Sequence, residues 1–262
     1  MTLTRRSLAL LAATVLTIAP AWAQNVLRIG AYPSNPPFEF QTPEGVFVGF
    51  EVDILEEAAK RAGMRPEFNA YGFQALFTAV KAGEIDVAIS SFTITPERLR
   101  TLSFTQPIYD ADMGIAARVN GAVSGVAKLA GRTIGALLGS TGEAWALERQ
   151  AAGGIGAVKG YSTQQELVED LNRGRIDAMV SDVPSMEYAF TRMRGLAVQE
   201  RIKTGEQYAL MLAKDSPMLE RLHAAIGSMK RDGTLAALHR KWFGTDAPAG
   251  ASTITESPLP KL

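Results

Sequence analysis

The stretch Ser90-Ser91-Phe92-Thr93-Ile94-Thr95-Pro96-Glu97-Arg98 places several hydroxyls and one guanidinium within a few residues of each other. It follows Ile85-Asp86-Val87-Ala88-Ile89, an apolar β-branched run that reads as a buried parallel strand. It then enters a helix start, with Thr95 as N-cap and Pro96 at the first helical position. Open α/β sheets bind ligands at such junctions, and helix N-termini favour anions. A cation in the first helical turn opposes the helix dipole, so Arg98 is not placed there to stabilise the helix. Free N–H groups, hydroxyls and a forked guanidinium together suit a carboxylate. A solvated arginine above a serine turn fits the same residues, and this stretch alone leaves both readings open.

A second segment repeats the first. Leu76 to Ser91 and Leu167 to Asp182 both read as helix, Gly, charged residue, Ile-Asp, apolar strand, Ser and polar residue, at a constant offset of 91 residues. Ser91 and Asp182 therefore fall at equivalent strand ends. The simplest arrangement is two similar α/β lobes, each presenting a polar strand end to a shared cleft. Helix-Gly-strand is also common grammar in α/β proteins, and one such unit does not exclude that reading. Thr133 to Leu137 is a further strand, running into Gly139-Ser140-Thr141-Gly142-Glu143. Ser140 or Thr141 is the N-cap there, and the position is a second place for an anion.

The remaining elements surround these junctions. Val26 to Gly30 and Arg65 to Ala70 read as strands, and Val52 to Ala62 and Phe73 to Ala82 as helices stopped by Gly63 and Gly83. Prolines bar helix from Tyr32 to Phe40, and Glu44-Gly45 is a turn. Met113 to Val119 and Tyr208 to Ala213 read as strands. Pro184 to Met193, Pro217 to Arg231 and Thr234 to Trp242 read as helices, and Trp242-Phe243-Gly244 as a packing anchor.

At the N-terminus, Arg5-Arg6, an apolar run and Ala21-Trp22-Ala23 form an export signal over 1–23, cleaved near Ala23/Gln24. Thr4-Arg5-Arg6-Ser7-Leu8 also fits a twin-arginine signal, with general secretion the simpler reading. No later stretch is apolar and long enough to span a bilayer. Without Arg5 and Arg6, 25 basic residues face 27 acidic ones, a net charge of −2, which disfavours nucleic acid as a partner. The chain has no cysteine, so its core must hold without disulfides. His223 and His239 lie far in sequence from both junctions, and Glu51, Asp53 and Asp86 read as capping or packing acids. No metal, phosphate-loop or nucleophile motif is present, and no cofactor is expected.

Pro36-Pro37-Phe38-Glu39-Phe40, Gly49-Phe50-Glu51-Val52-Asp53, Gly83-Glu84-Ile85-Asp86-Val87, Thr93 to Arg98, Leu129-Ala130-Gly131-Arg132, Gly174-Arg175-Ile176-Asp177-Ala178 and Lys241-Trp242-Phe243-Gly244 occur in order. Together they resemble the family 3 periplasmic solute-binding proteins, the polar amino-acid receptors of ABC importers. The resemblance runs from about Val26 to Gly244. It implies a two-lobed α/β periplasmic-binding-protein fold (type II), with two hinge strands near Tyr109–Asp112 and Glu206–Ala209 and a cleft between the lobes. Lobe one would be 24–110 and 209–246, and lobe two 111–208. Composition makes 247–262 a disordered tail.

By position, Arg98 is similar to the arginine that holds a ligand α-carboxylate, assisted by Thr93 and Thr141. Asp182, with Ser91, would take the α-ammonium. Ser90, Leu137, Ser140, Tyr32, Asn35 and Phe73 would complete the pocket. Relatives for basic amino acids often carry an acid where this chain has Tyr32 and an aromatic where it has Asn35, so a neutral or otherwise non-cationic ligand is expected. The implied function is a monomeric periplasmic receptor that delivers an amino acid to an inner-membrane ABC permease, and not an enzyme. A cyclohexadienyl dehydratase-like enzyme on the same scaffold and a ligand-binding partner of a chemosensory receptor are the alternatives.

Overall fold

The computed structural model describes residues 25–262. The export signal expected over 1–23 and its cleavage site lie outside the described residues. Strand β1 (Val26–Ala31) is followed by a small antiparallel sheet of β2 (Ser34–Asn35), β3 (Glu39–Gln41) and β4 (Phe47–Val48). Gly45 turns the β3–β4 hairpin with φ 82°. Helix α1 (Phe50–Arg61), strand β5 (Arg65–Ala70) and helix α2 (Phe73–Ala82) come next. Gly83 ends α2 in the left-handed conformation, φ 71°. Strand β6 (Val87–Ile89) then runs parallel to β1 and leads to the single-turn helix α3 (Pro96–Leu99). Strand β7 (Leu102–Phe104) precedes β8 (Tyr109–Arg118).

The second half repeats this plan with β9 (Thr133–Leu137), α4 (Thr141–Ala151), β10 (Ala157–Tyr161), α5 (Gln164–Asn172), β11 (Ala178–Asp182), α6 (Val183–Phe190) and β12 (Leu196–Tyr208). The chain then returns through β13 (Met211–Ala213), α7 (Leu219–Arg231) and α8 (Thr234–Phe243). One five-stranded sheet has the order β5-β1-β6-β13-β7 and the other β10-β9-β11-β8-β12. The orders correspond strand for strand, with three parallel strands followed by one that runs antiparallel to its neighbour.

The sequence repeat has a packing cause. A Cβ on Gly30 of β1 would stand 2.4 Å from Ile85 Cδ1 and 2.7 Å from Leu76 Cδ2. A Cβ on Gly135 of β9 would stand 2.5 Å from both Ile176 Cδ1 and Leu167 Cδ1. These Leu and Ile pairs occupy matching places in the repeat. In each lobe the helix and the turn after it press their Leu and Ile side chains onto a strand at a glycine.

The lobes are joined by β8 and β12, which pair antiparallel with Tyr208 opposite Tyr109 and Gln207 opposite Asp110. Phe38, fully buried, meets Tyr109, Tyr208, Phe50 and Phe243 in ring contacts at this crossing. Trp242 donates from Nε1 to Asp53 at 2.6 Å, which ties α8 to α1. β10 and most of β12, absent from the sequence reading, are edge strands with few fully buried residues.

The C-terminal segment corrects the expectation of disorder. Ser252 and Thr253 are buried, and Ser252 N donates to Asp110 Oδ2 at 2.7 Å. The small residues that lower the segment's hydrophobicity also let its backbone lie close against the lobe.

If the glycine contacts carry lobe packing, Gly30→Ala and Gly135→Ala should each cost about 1–3 kcal/mol from overpacking. Urea unfolding checks this, and parental midpoints in both variants would show that the helices can yield.

Candidate functional site

Both strand-to-helix junctions open into one cavity between the lobes. The first lobe contributes Tyr32, Asn35, Phe73, Ser90, Ser91, Thr93 and Arg98. The second contributes Leu137, Ser140, Thr141 and Asp182. Every site residue expected from the sequence lines this cavity. Gly142, Gln164 and Ser181 line it as well and were not anticipated.

Away from the hinge strands, hydrogen bonds bridge the lobes across the cavity. Arg98 Nη2 donates to Gly139 O at 3.2 Å, Gln164 N to Tyr32 Oη at 3.0 Å, and Ser185 Oγ to Asn35 Oδ1 at 2.7 Å. The molecule is therefore in a closed arrangement.

Arg98 is held by its own loop. Thr95 caps α3 by accepting from Arg98 N at 3.2 Å, and Arg98 Nη1 donates to Thr93 O at 2.9 Å. The guanidinium carbon lies 5.1 Å from the Phe77 ring centroid and 6.0 Å from that of Phe92. Desolvation lowers its pKa, opposed by the nearby charges of Glu206 and Asp182. A guanidinium among rings and carbonyls retains a strong preference for a carboxylate.

The opposite wall carries the complementary group. Asp182 ends β11, and desolvation pushes its carboxyl up to about 7. The buried Tyr208 hydroxyl stands beside it and favours the ionised form, while Glu206 opposes ionisation. Glu206 is itself raised by burial, with the Thr141 and Thr93 hydroxyls acting to lower it. Ser140 caps α4 by accepting from Glu143 N at 3.0 Å, which makes Thr141 the first helical residue.

Ser91 adopts φ 49°, the left-handed region that few non-glycine residues enter. A buried network holds it there. Glu51 Oε2 accepts from Ser91 N at 2.9 Å, and Asn35 Nδ2 donates to Ser91 Oγ at 2.9 Å. Asn35 also donates to Glu39 Oε2 at 3.2 Å. Glu39 and Glu51 are fully buried neighbours. Burial is the main cause that pushes Glu51 up to about 7 and Glu39 well above its usual range, and the charge of Glu51 raises Glu39 further. Glu51 was expected to be a capping or packing acid. Instead, Gly49 occupies the cap of α1 and Glu51 supports the floor of the cavity.

The Glu51 shift has a pH consequence. Its folded pKa is above its unfolded value, so the stabilising difference is complete below about 4.5 and disappears as pH rises through about 7. Thermal unfolding should show stability falling over this interval, and Glu51→Gln, which imitates the protonated acid, should flatten the slope. An identical slope in the variant would remove Glu51 from the account.

A family model described as bacterial extracellular solute-binding proteins, family 3, matches residues 27–245. The histidine-binding periplasmic protein of Salmonella typhimurium is 33% identical over 250 residues, covering 92% of this chain and 96% of that one. The L-arginine-binding protein of Pseudomonas aeruginosa is 30% identical over 246 residues, covering 90% and 95%. Among solved structures, an ancestral arginine-binding protein bound to arginine superposes with TM-score 0.80 at 32% identity, covering 84% of this chain and 99% of that one. With a family match across nearly all the described residues and the two-lobed fold in common, this chain belongs to the family 3 extracellular solute-binding proteins.

Proposed function

We propose that this protein is a periplasmic receptor that closes on a free amino acid and hands it to an ABC import permease. The observation that supports this reading is that Arg98 of α3 and Asp182 at the end of β11 line one closed cavity from different lobes. In the proposed complex the α-carboxylate lies on Arg98, with Thr93 and Thr141 beside it. The α-ammonium lies on Asp182, assisted by Ser91. Each end of the ligand engages a different lobe, so the closed form gains contacts that the open form lacks. That difference in affinity drives closure. In this reading the ligand is released unchanged.

The side-chain end of the cavity favours a neutral, hydrogen-bonding ligand. Tyr32 accepts from Gln164 N and keeps its own hydroxyl proton to donate. Gln164 donates through Nε2 to Ser181 Oγ at 3.0 Å and keeps its carbonyl oxygen. Among the described residues, Asp182 is the only acid that lines the cavity. With Asp182 on the α-ammonium, a cationic side chain would be buried without a counter-charge, at several kcal/mol. A thermal-shift panel of amino acids and their derivatives should respond to neutral polar members. A ligand at 100 times its dissociation constant adds about 2.7 kcal/mol. Responses confined to lysine, arginine and ornithine would contradict the neutral-ligand assignment.

Asp182 also predicts proton release. With its carboxyl near 7 in the unliganded protein, an arriving ammonium lowers that pKa and expels the proton from the protonated fraction. Calorimetry in buffers of different ionisation enthalpy should find roughly half a proton released at pH 7. Release should approach zero above pH 8. Arg98→Ala and Asp182→Asn should each weaken binding at least a hundredfold. Near-parental affinity in either variant would remove the mechanism.

A further inference from the structure

Along one side of the cavity the lobes meet between the β2–β3 hairpin of the first and helix α6 of the second. Ser185 of α6 donates to Asn35 Oδ1 at 2.7 Å, and both residues are buried. Nearly one turn further along α6, the Tyr188 ring stands 6.3 Å from the ring of Phe40 on β3. Asn35 and Phe40 are carried as one unit, because β2 and β3 pair Ser34 with Phe40 and Asn35 with Glu39. Of these four contact residues, only Asn35 lines the ligand cavity.

Each half of the contact is fixed within its own lobe. Asn35 uses its two Nδ2 protons on Ser91 Oγ and Glu39 Oε2, so its carbonyl oxygen is left to face the second lobe. Ser185 stands between Val183 and Met186, both packed into the core of the second lobe. Neither side chain can follow the other when the lobes rotate about the crossing strands. A hydrogen bond survives less than about one ångström of stretch, so lobe movement at this point ends it. Water then takes the place of the lost partner, which leaves a net preference for the paired state of about two- to tenfold.

We propose that the β2–β3 hairpin and α6 form a clasp that favours the closed arrangement by an amount independent of what is bound. The proposal shares with the receptor reading only the premise that the lobes move about the crossing strands. The clasp acts on affinity through the closed population: a ligand that binds the closed form has an apparent affinity proportional to the fraction of molecules that are closed. Ser185 and Tyr188 are therefore positioning residues, and losing either weakens every ligand by one common factor.

Ser185→Ala removes the hydrogen bond and leaves Asn35 held by Glu39 and Ser91, and Tyr188→Leu removes the ring contact. The chain has no cysteine, so Lys81→Cys and Glu148→Cys place spin labels cleanly on exposed helix positions of the two lobes. The unliganded parent should contain a short-distance population. Ser185→Ala should lower the short-to-long ratio about two- to tenfold, and Tyr188→Leu should move it the same way. Calorimetry with several amino acids should then find every affinity reduced by the factor by which the short-distance fraction fell. An unliganded parent without a short population, ratios that neither variant alters, or losses that differ from ligand to ligand would overturn the clasp. Failure of the chain to bind any amino acid would overturn the receptor reading and leave the distances to decide the clasp.

Discussion

A desolvated guanidinium and a desolvated carboxyl on opposite walls of one cavity set the terms for everything around them. Arg98 is directed onto backbone carbonyls and aromatic faces, none of which neutralises a charge. Asp182 has been driven toward its neutral form. Both conditions are costly alone, and both are relieved by a molecule carrying a carboxylate and an ammonium a short distance apart. Two similar lobes joined by two strands are an economical way to keep such groups poised and still let the molecule between them enter and leave.

The buried acids explain how the first wall is kept rigid. Ser91 adopts an unfavourable backbone conformation because Glu51 accepts from its amide and Asn35 donates to its hydroxyl oxygen. Asn35 is at once a partner of Glu39 in its own lobe and of Ser185 across the cleft. The geometry of Ser91 is thereby linked to closure through a single amide side chain. Protonated carboxyls suit this role, because they can accept from the backbone without placing two charges side by side in the interior.

Much of the site was legible in the sequence for local reasons. Thr95-Pro96 is a strong helix start, so the junction at Arg98 could be placed without knowing the fold. The repeat put Asp182 in register with Ser91, and the same register pairs Ser181 with Ser90, a correspondence that would have found Ser181. Gln164 carried no such signal: after the N-cap Thr163 it reads as an ordinary first-turn residue. β12 was hidden because it lies at a sheet edge and buries few of its residues fully, with register shifts that break the alternation of side chains. The tail was misread because its order depends on the side chains of Asp110 and Gln106 and the carbonyl of Ile108, partners more than a hundred residues away in sequence. Composition reports what a segment can bury by itself, and this one is ordered by hydrogen bonds to another part of the chain.

The central claim, that Arg98 grips the carboxylate end of a zwitterion, is tested most directly by a double cycle that truncates ligand and protein together. Calorimetry would compare the strongest ligand of an amino-acid panel with its methyl ester, on the parent chain and on Arg98→Ala. The account predicts that the parent strongly prefers the acid over the ester and that the variant, though weaker, barely distinguishes them. An acid-to-ester preference that survives intact in Arg98→Ala would show that the carboxylate is held elsewhere.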